Sequence, residues 1–268
     1  MTSAAFAADQ PAVKSLRLYV FDCGKLHYDE PSRFNFKKEE VKNYDLSVGC
    51  YLIVHPKGTL MWDVGVVPDK DFPGDGRPAT KFYARVIKPL NAQMTQAGYS
   101  PDSITYLAMS HSHWDHLANA YQFAKSTWLV RPVEHDILFG ANPPERSTPD
   151  EYDALKNSKT VPLPNGDYDV FGDGSVIIKP AYGHTPGHSV LFVKLRKTGP
   201  IVLSGDLYHY PEEVAAPEHF PINEFNKDQT RQSRMDIQAF LKQSGAKLWI
   251  QHDIAAFDKL KKAPGYYE

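Results

Sequence analysis

Six residues near the middle of the chain, His111-Ser112-His113-Trp114-Asp115-His116, restrict its folding more than any other stretch. They follow directly on Ile104-Thr105-Tyr106-Leu107-Ala108-Met109, an apolar run of strand length. Two apart on extended chain, His111 and His113 project to the same side. Asp115 and His116 then turn in a loop towards the same space. Imidazole nitrogen and carboxylate oxygen are, after thiolate, the ligands zinc prefers. Four such donors exceed what one tetrahedral catalytic ion with an open position can use, so the surplus argues for two ions. A solvated polar loop would gain nothing from crowding these side chains together. The fold must therefore bring further donors to the end of this strand.

The chain offers those donors as imidazole and carboxylate, since it has 11 histidines against two cysteines. Gly183-His184-Thr185-Pro186-Gly187-His188 is a loop carrying two histidines, Ser204-Gly205-Asp206 ends an apolar strand with a carboxylate, and Gln251-His252-Asp253 ends the last strand with a histidine. Singly, each is weak, because a strand-end Asp commonly caps a turn. Together they repeat one pattern: metal-type residues where apolar strands stop. Cys23 and Cys50 lie in apolar, strand-like stretches, where a buried free thiol is the expected state. A disulfide is the alternative if the protein is exported.

Around these residues the pattern is of strands arriving as hairpins. Leu16 to Phe21 alternates. Cys50 to Val54 and Thr59 to Asp63 flank a Pro56-Lys57-Gly58 turn. Val190 to Leu195 and Ile201 to Leu203 flank another at Lys197 to Pro200. Trp128 to Val130, Ile177-Ile178 and Lys247 to Ile250 read as further strands. Helices are expected from Pro89 to Ala97, closed by Gly98, and from Gln229 to Gln243, where Ile237, Phe240 and Leu241 share a face. Pro68 to Thr80 and Pro211 to Asp228 read as long loops. This is an α/β layered pattern with sizeable antiparallel content, and no linker divides it.

Composition narrows the function. A net charge of -2 gives no basic footprint, which argues against a nucleic-acid partner, and no apolar run approaches the roughly 20 residues that span a bilayer. Ala5-Phe6-Ala7 resembles the end of a secretory signal. Residues 1–15 are expected to be a flexible N-terminus carrying that remnant, and 16–268 a single domain. The location favoured is periplasmic or secreted, with the cytoplasm as the alternative. Monomer and homodimer both stay open.

The 111–116 segment matches the H-x-H-x-D-H motif of the metallo-β-lactamase superfamily without a mismatch. Gly49-Cys50-Tyr51-Leu52, Trp62-Asp63-Val64-Gly65, Ala97-Gly98-Tyr99-Ser100-Pro101-Asp102, His184-Thr185-Pro186-Gly187-His188 and His252-Asp253-Ile254 follow in the order and at about the spacing of the N-acyl-homoserine lactone lactonases. From about Leu16 almost to the C-terminus, the chain resembles that branch. The resemblance implies a four-layer αβ/βα sandwich, two mixed sheets face to face with helices outside, and a site on one edge between the sheets. It implies two Zn2+ per chain, with His111, His113 and His188 on one, Asp115, His116 and His252 on the other, and Asp206 bridging. His184 matches no ligand position and reads as a loop-stabilising residue. Asp63 matches an aspartate thought to orient the ligand loop, with a plain turn residue as the alternative reading. Three residues past the bridging Asp, where the lactonases carry a Tyr that hydrogen-bonds the substrate carbonyl, stands His209, flanked by Tyr208 and Tyr210.

The function implied is hydrolytic opening of an acyl-homoserine lactone, which silences a quorum signal. A zinc pair lowers the pKa of bound water to near 7, His209 or Tyr208 adds a donor to the carbonyl oxygen, and Asp115 passes a proton to the leaving oxygen. Trp114, Phe72, Phe82, Phe220 and Ile222 are candidates for an apolar groove holding the acyl tail, or else they only pin the loops. The alternatives are a histidine-rich metallo-β-lactamase, which generally lacks the bridging carboxylate, or another ester or thioester hydrolase of the same fold. Glyoxalase II is one such, but its extra helical C-terminal region is not expected in the 16 residues after His252. A non-catalytic metal-binding module would show lost ligands, and here every expected position is filled.

Overall fold

Strand residues that alternate between two apolar environments build this molecule. The computed structural model describes residues 13–141 and 143–268. The Ala5-Phe6-Ala7 segment lies outside them. Within the expected flexible stretch 1–15, Val13 is buried and the Ser15 hydroxyl donates to the Glu268 carboxylate.

Fourteen strands form two mixed sheets. The first contains β1 (Arg17–Leu26), β2 (Leu46–His55), β3 (Gly58–Trp62), β4 (Ala79–Lys81), β5 (Ala84–Val86), β6 (Tyr106–Ala108), β7 (Thr127–Val130) and β8 (Thr160–Pro162), in the order β4-β5-β1-β2-β3-β6-β7-β8. The second contains β9 (Tyr168–Asp169), β10 (Val176–Pro180), β11 (Ser189–Leu195), β12 (Gly199–Leu203) and β13 (Lys247–Trp249), in the order β13-β12-β11-β10-β9. β14 (Tyr266–Tyr267) returns to pair with β1. Both expected hairpins form, β2–β3 and β11–β12.

Three apolar clusters correspond to the three interfaces of a four-layer stack. Leu18, Val20 and Ile53 face Val176, Leu191 and Ile201 between the sheets. The alternate residues Tyr19, Phe21 and Leu52 face outward, with Leu90 and Met94 of α1 (Leu90–Gln96) and Leu117 of α2 (Trp114–Leu117). On the far side Val190, Phe192 and Val202 meet Ile237 of the 18-residue helix Lys227–Ser244. Period-2 alternation with both faces apolar follows when both faces of a sheet are covered. Each large side chain buried this way contributes about 1.5–3 kcal/mol. The expected αβ/βα sandwich is what the chain forms.

Cys23 and Cys50 are joined by a disulfide, with Cα atoms 5.9 Å apart, against the expectation of free thiols. The reason lies in register. β1 pairs antiparallel with β2, Phe21 opposite Cys50, and a bulge between Asp22 and Lys25 shifts the register. Gly24 takes φ 128 there, a conformation costly for other residues. The bulge brings Cys23 within bonding reach of Cys50, which sequence separation cannot show.

Candidate metal centre and cleft

Parallel pairing gathers the donors. β3 and β6 run parallel with Trp62 beside Ala108, so Asp63 and the 110–116 segment leave the sheet together. β12 and β13 run parallel with Leu203 beside Trp249, so Asp206 and His252 also emerge together. β11 is antiparallel to β12, which puts the loop preceding it, 183–188, at the same edge. Asp115 and His116 lie in α2 rather than in a loop; its single turn still directs both inward.

Two donor groups result: His111, His113, His184 and Asp206; and Asp115, His116, Asp206 and His252, the ligand atoms in each within 4.8 Å of one another. Asp206 belongs to both and divides its oxygens between them. Oδ2 lies 3.6 Å from His111 Nε2 and 3.3 Å from His184 Nε2. Oδ1 lies 3.0 Å from both His116 Nε2 and His252 Nε2. The buried His111 Nε2, His116 Nε2 and Asp206 Oδ1 have no hydrogen-bond partner. Buried polar atoms left unpaired are costly, and so many convergent lone pairs fit a pair of divalent cations. Burial alone would raise the Asp206 carboxyl, but His116, His252 and His111 outweigh it and hold it well below its ordinary range.

The outer nitrogen of four of these rings is tied down. His116 Nδ1 donates to Asp63 Oδ2 at 3.0 Å and His252 Nδ1 to the Ser47 carbonyl at 2.7 Å. His184 Nδ1 meets Glu224 Oε2 and His111 Nδ1 meets Ser110 Oγ, each at 3.0 Å. Such partners fix the tautomer, leaving the inner nitrogen as an acceptor for metal. Asp63 also accepts from the Ser110 backbone at 2.6 Å and the Gln251 side chain at 2.7 Å. The turn-residue reading of Asp63 is therefore too small. Sequence reasoning missed Glu134, on the helix Pro132–Phe139. Its buried carboxylate accepts the Ser112 N–H at 2.9 Å, the Thr185 hydroxyl at 2.6 Å and the Gly187 N–H at 2.7 Å. It thus clasps both histidine loops, and no motif marks it.

At the 184–188 loop it is His184, and not the expected His188, that stands in a donor group. His188 is not in either donor group. Its Nδ1 donates to the Ala181 carbonyl and its Nε2 accepts the Asp206 backbone N–H, both at 2.9 Å. Both ring nitrogens are thus hydrogen-bonded. Burial, with His184 nearby, lowers it to about 3, so it stays neutral. His184 instead presents Nε2 3.0 Å from His113 Nδ1. Gly183, at φ 128, lies flat on Thr230, where a Cβ would meet the backbone at 2.2 Å; that close approach swings His184 inward. The two histidines share one motif, and spacing alone cannot say which turns in.

His209 reaches the cluster, its Nε2 3.2 Å from Asp206 Oδ2, between the rings of Phe34 and His252. Burial lowers it to about 4, leaving a neutral imidazole. Tyr208 does not reach the site. It points to the opposite side, where its hydroxyl accepts from Gln238 at 3.2 Å and Arg234 lies over its ring. Asp115 lines the cleft with Oδ2 3.7 Å from both His116 and His252 Nε2.

Above the donors opens a cleft of about 350 Å³. Of the five groove candidates only Trp114 lines it. Phe82 stands on the rim, 66% exposed, edge-on to Trp114. Phe72 packs into the outer core, Phe220 is buried beneath Arg234, and Ile222 faces solvent. The walls come instead from Tyr28, Phe34, Tyr83, Ile137, Arg146 and Phe225, with Arg33 beside them. Apart from Ile137, on the helix Pro132–Phe139, these belong to loops and turns far apart in sequence.

Known proteins resemble this chain over almost its whole length. N-acyl homoserine lactonase AttM of Azorhizobium caulinodans is 28% identical, the match covering 94% of this chain and 99% of that protein. The N-acyl homoserine lactonase of Bacillus thuringiensis is 23% identical over 93% and 98%. A solved quorum-quenching N-acyl homoserine lactone lactonase superposes with a TM-score of 0.76 at 22% identity, over 95% of this chain and 99% of that one. AidC, a dizinc quorum-quenching lactonase, does so at 0.64 and 18%, over 96% and 95%. The metallo-beta-lactamase superfamily profile matches residues 44–245, most of both sheets and six of the seven donors, and the chain belongs to that superfamily.

Proposed function

We propose that this chain opens the ring of N-acyl-homoserine lactones at a dinuclear zinc site. The observation that carries the reading is the division of Asp206 between two donor groups at the floor of a cleft with aromatic walls. The names borne by relatives matching almost the whole chain point the same way. His111, His113, His184 and Asp206 would hold one ion, and Asp115, His116, Asp206 and His252 the other. Bound there, the ions supply Lewis acidity and water of lowered pKa.

The chain's own groups do the rest. His209, neutral at working pH, offers an N–H to the substrate carbonyl oxygen, a contribution of about 2.7–4 kcal/mol where such donors have been removed. Asp115, at the cleft surface, accepts the proton released by the attacking water and passes it to the ring oxygen as the C–O bond breaks, so that water adds across the ester and an N-acyl-homoserine departs. Trp114 closes the cleft against bulk water. Asp206 argues against the histidine-rich β-lactamase reading. The buried disulfide supports an oxidising compartment, hence export.

A hydrolysis panel with short and long acyl-homoserine lactones, a penicillin, a carbapenem and a thioester tests this. The lactones should give the highest kcat/KM; a β-lactam ahead by about tenfold, 1.4 kcal/mol, would overturn it.

A further inference from the structure

The mouth of the cleft holds donors with nothing to donate to. Arg33, in the turn Ser32–Phe34, and Arg146 both line it, and among the described residues neither forms an ion pair. Arg33's side chain makes no hydrogen bond; Arg146 makes one, to the Tyr83 hydroxyl. Other cations of the molecule are treated differently. Arg234 spends its donors on Leu207, Pro217, His219 and Glu213. Lys81, which also reaches Trp114, is paired with Glu151. Glu145, beside Arg146 on the rim, is exposed and pairs with neither arginine.

Hydrogen-bond accounting sharpens the point. Tyr28 donates to the Tyr83 hydroxyl at 3.1 Å, and Tyr83 also accepts from Arg146. The phenolic proton of Tyr83 then has no acceptor. Burial pushes Tyr28 upward, so it too stays a protonated donor. The Arg146 guanidinium lies 5.1 Å from the Tyr83 ring centre and 5.9 Å from that of Trp114. These cation–ring contacts place the guanidinium without using its N–H donors. Two guanidiniums and a phenol, without an acceptor, ask for a ligand with acceptor oxygens. A planar oxyanion suits the guanidinium fork best.

We infer that the mouth is an anion subsite, and that the preferred substrate carries a carboxylate on its acyl tail, remote from the lactone. The inference rests on the hydrolytic reading of the floor. Whole metal-loaded protein is assayed with two acyl-homoserine lactones of equal tail length, one ending in methyl and one in carboxylate. Binding of a linear amide with the same carboxylate tail and no lactone is measured by calorimetry. The carboxylate-ended lactone should have a kcat/KM higher by roughly tenfold or more, the size of one charge-assisted hydrogen bond. The gain should sit in KM and shrink with added salt. In R33A/R146A the ratio should fall to about one and amide binding should vanish. R33K/R146K, which keeps the charge but not the fork, should fall between. Equal rates on both lactones with no amide binding overturn the subsite and leave the hydrolytic reading standing. Amide binding that depends on the arginines, with neither lactone opened, supports the subsite and overturns the hydrolytic reading.

Discussion

The floor and the mouth of the cleft are built on opposite plans. At the floor, donors sit at strand ends, and four of the rings are pinned from behind by Asp63, Ser110, Glu224 or the Ser47 carbonyl. At the mouth, side chains come from separate segments and meet through tilted and edge-on ring contacts and a few hydroxyl contacts. The floor is over-determined, as metal chemistry requires of its ligands. The mouth is adaptable, as selection among related tails requires. Damage at the floor should therefore change whether the reaction occurs, and damage at the mouth which substrate it occurs on.

The largest effect is expected from Asp206→Ala, which removes the oxygen pair shared by both groups. Metal content should fall from near two equivalents to one or fewer, with activity down by more than the 10–100-fold typical of losing an outer partner. Two tightly held equivalents in that variant, found by elemental analysis, would break the picture of a shared bridge.

Next come the paired variants His184→Gln and His188→Gln. The first should lose metal. The second should keep it and lose stability, about 1–3 kcal/mol for a buried Asp206 N–H left without its acceptor. pH gives an independent check. His188 sits at about 3 in the fold against about 6.5 unfolded. The unfolded chain therefore takes up a proton here that the folded chain refuses. This contribution is complete above about pH 6.5 and is lost as pH falls towards 3. Chemical denaturation from pH 7 to 4 should show a steeper slope in the parent protein than in His188→Gln, where His209 and the other lowered rings keep their own contribution. If His188→Gln strips a metal instead, the ligand assignment of this loop is wrong.

A smaller loss is expected at His209, where floor meets mouth. His209→Ala should lower kcat by about 10²-fold with both metals kept, and His209→Tyr should recover part of it. Tyr208→Phe removes only a buried hydroxyl turned towards Gln238 and away from the site, so the loss falls on stability and kcat should stay within about twofold. A crippled Tyr208→Phe beside a silent His209→Ala would reverse the assignment.

The smallest effect belongs to the mouth. Trp114→Ala should raise KM for long-tailed lactones by about fivefold to tenfold, roughly 1–1.4 kcal/mol of lost apolar contact, with less change in kcat. Phe72→Ala, away from the cleft, should leave KM unchanged. A shift in KM for Phe72→Ala would place the tail elsewhere.

How far the molecule was legible varies with the range of the forces involved. The longer strands, both hairpins and the helix over Gln229 to Gln243 follow from local periodicity, whereas the short strands β4, β5, β8, β9 and β14 carry no such signal. His111, His113, Asp115, His116, Asp206 and His252 stand in the two donor groups, and each could be proposed as a donor because strand ends announce themselves. The groove could not: Phe72, Phe82, Phe220 and Ile222 are aromatic or apolar and sit in the right loops, but a loop's path depends on what it packs against. Arg146 and Tyr83 carried no signal at all, being 63 residues apart.

By itself, then, the sequence determined the layered fold and the residues able to ligate metal, because both depend on side-chain type at short, regular spacing. Tertiary structure alone decided that Cys23 meets Cys50, that His184 turns in while His188 is spent on the Asp206 backbone, and that Glu134 clasps both histidine loops. Each of these turns on a rotation or shift of a few ångströms, set by a bulge at Gly24, a flat contact at Gly183 or a neighbouring helix. Hydrogen bonds and lone pairs are directional over that distance, and residue spacing carries no record of direction.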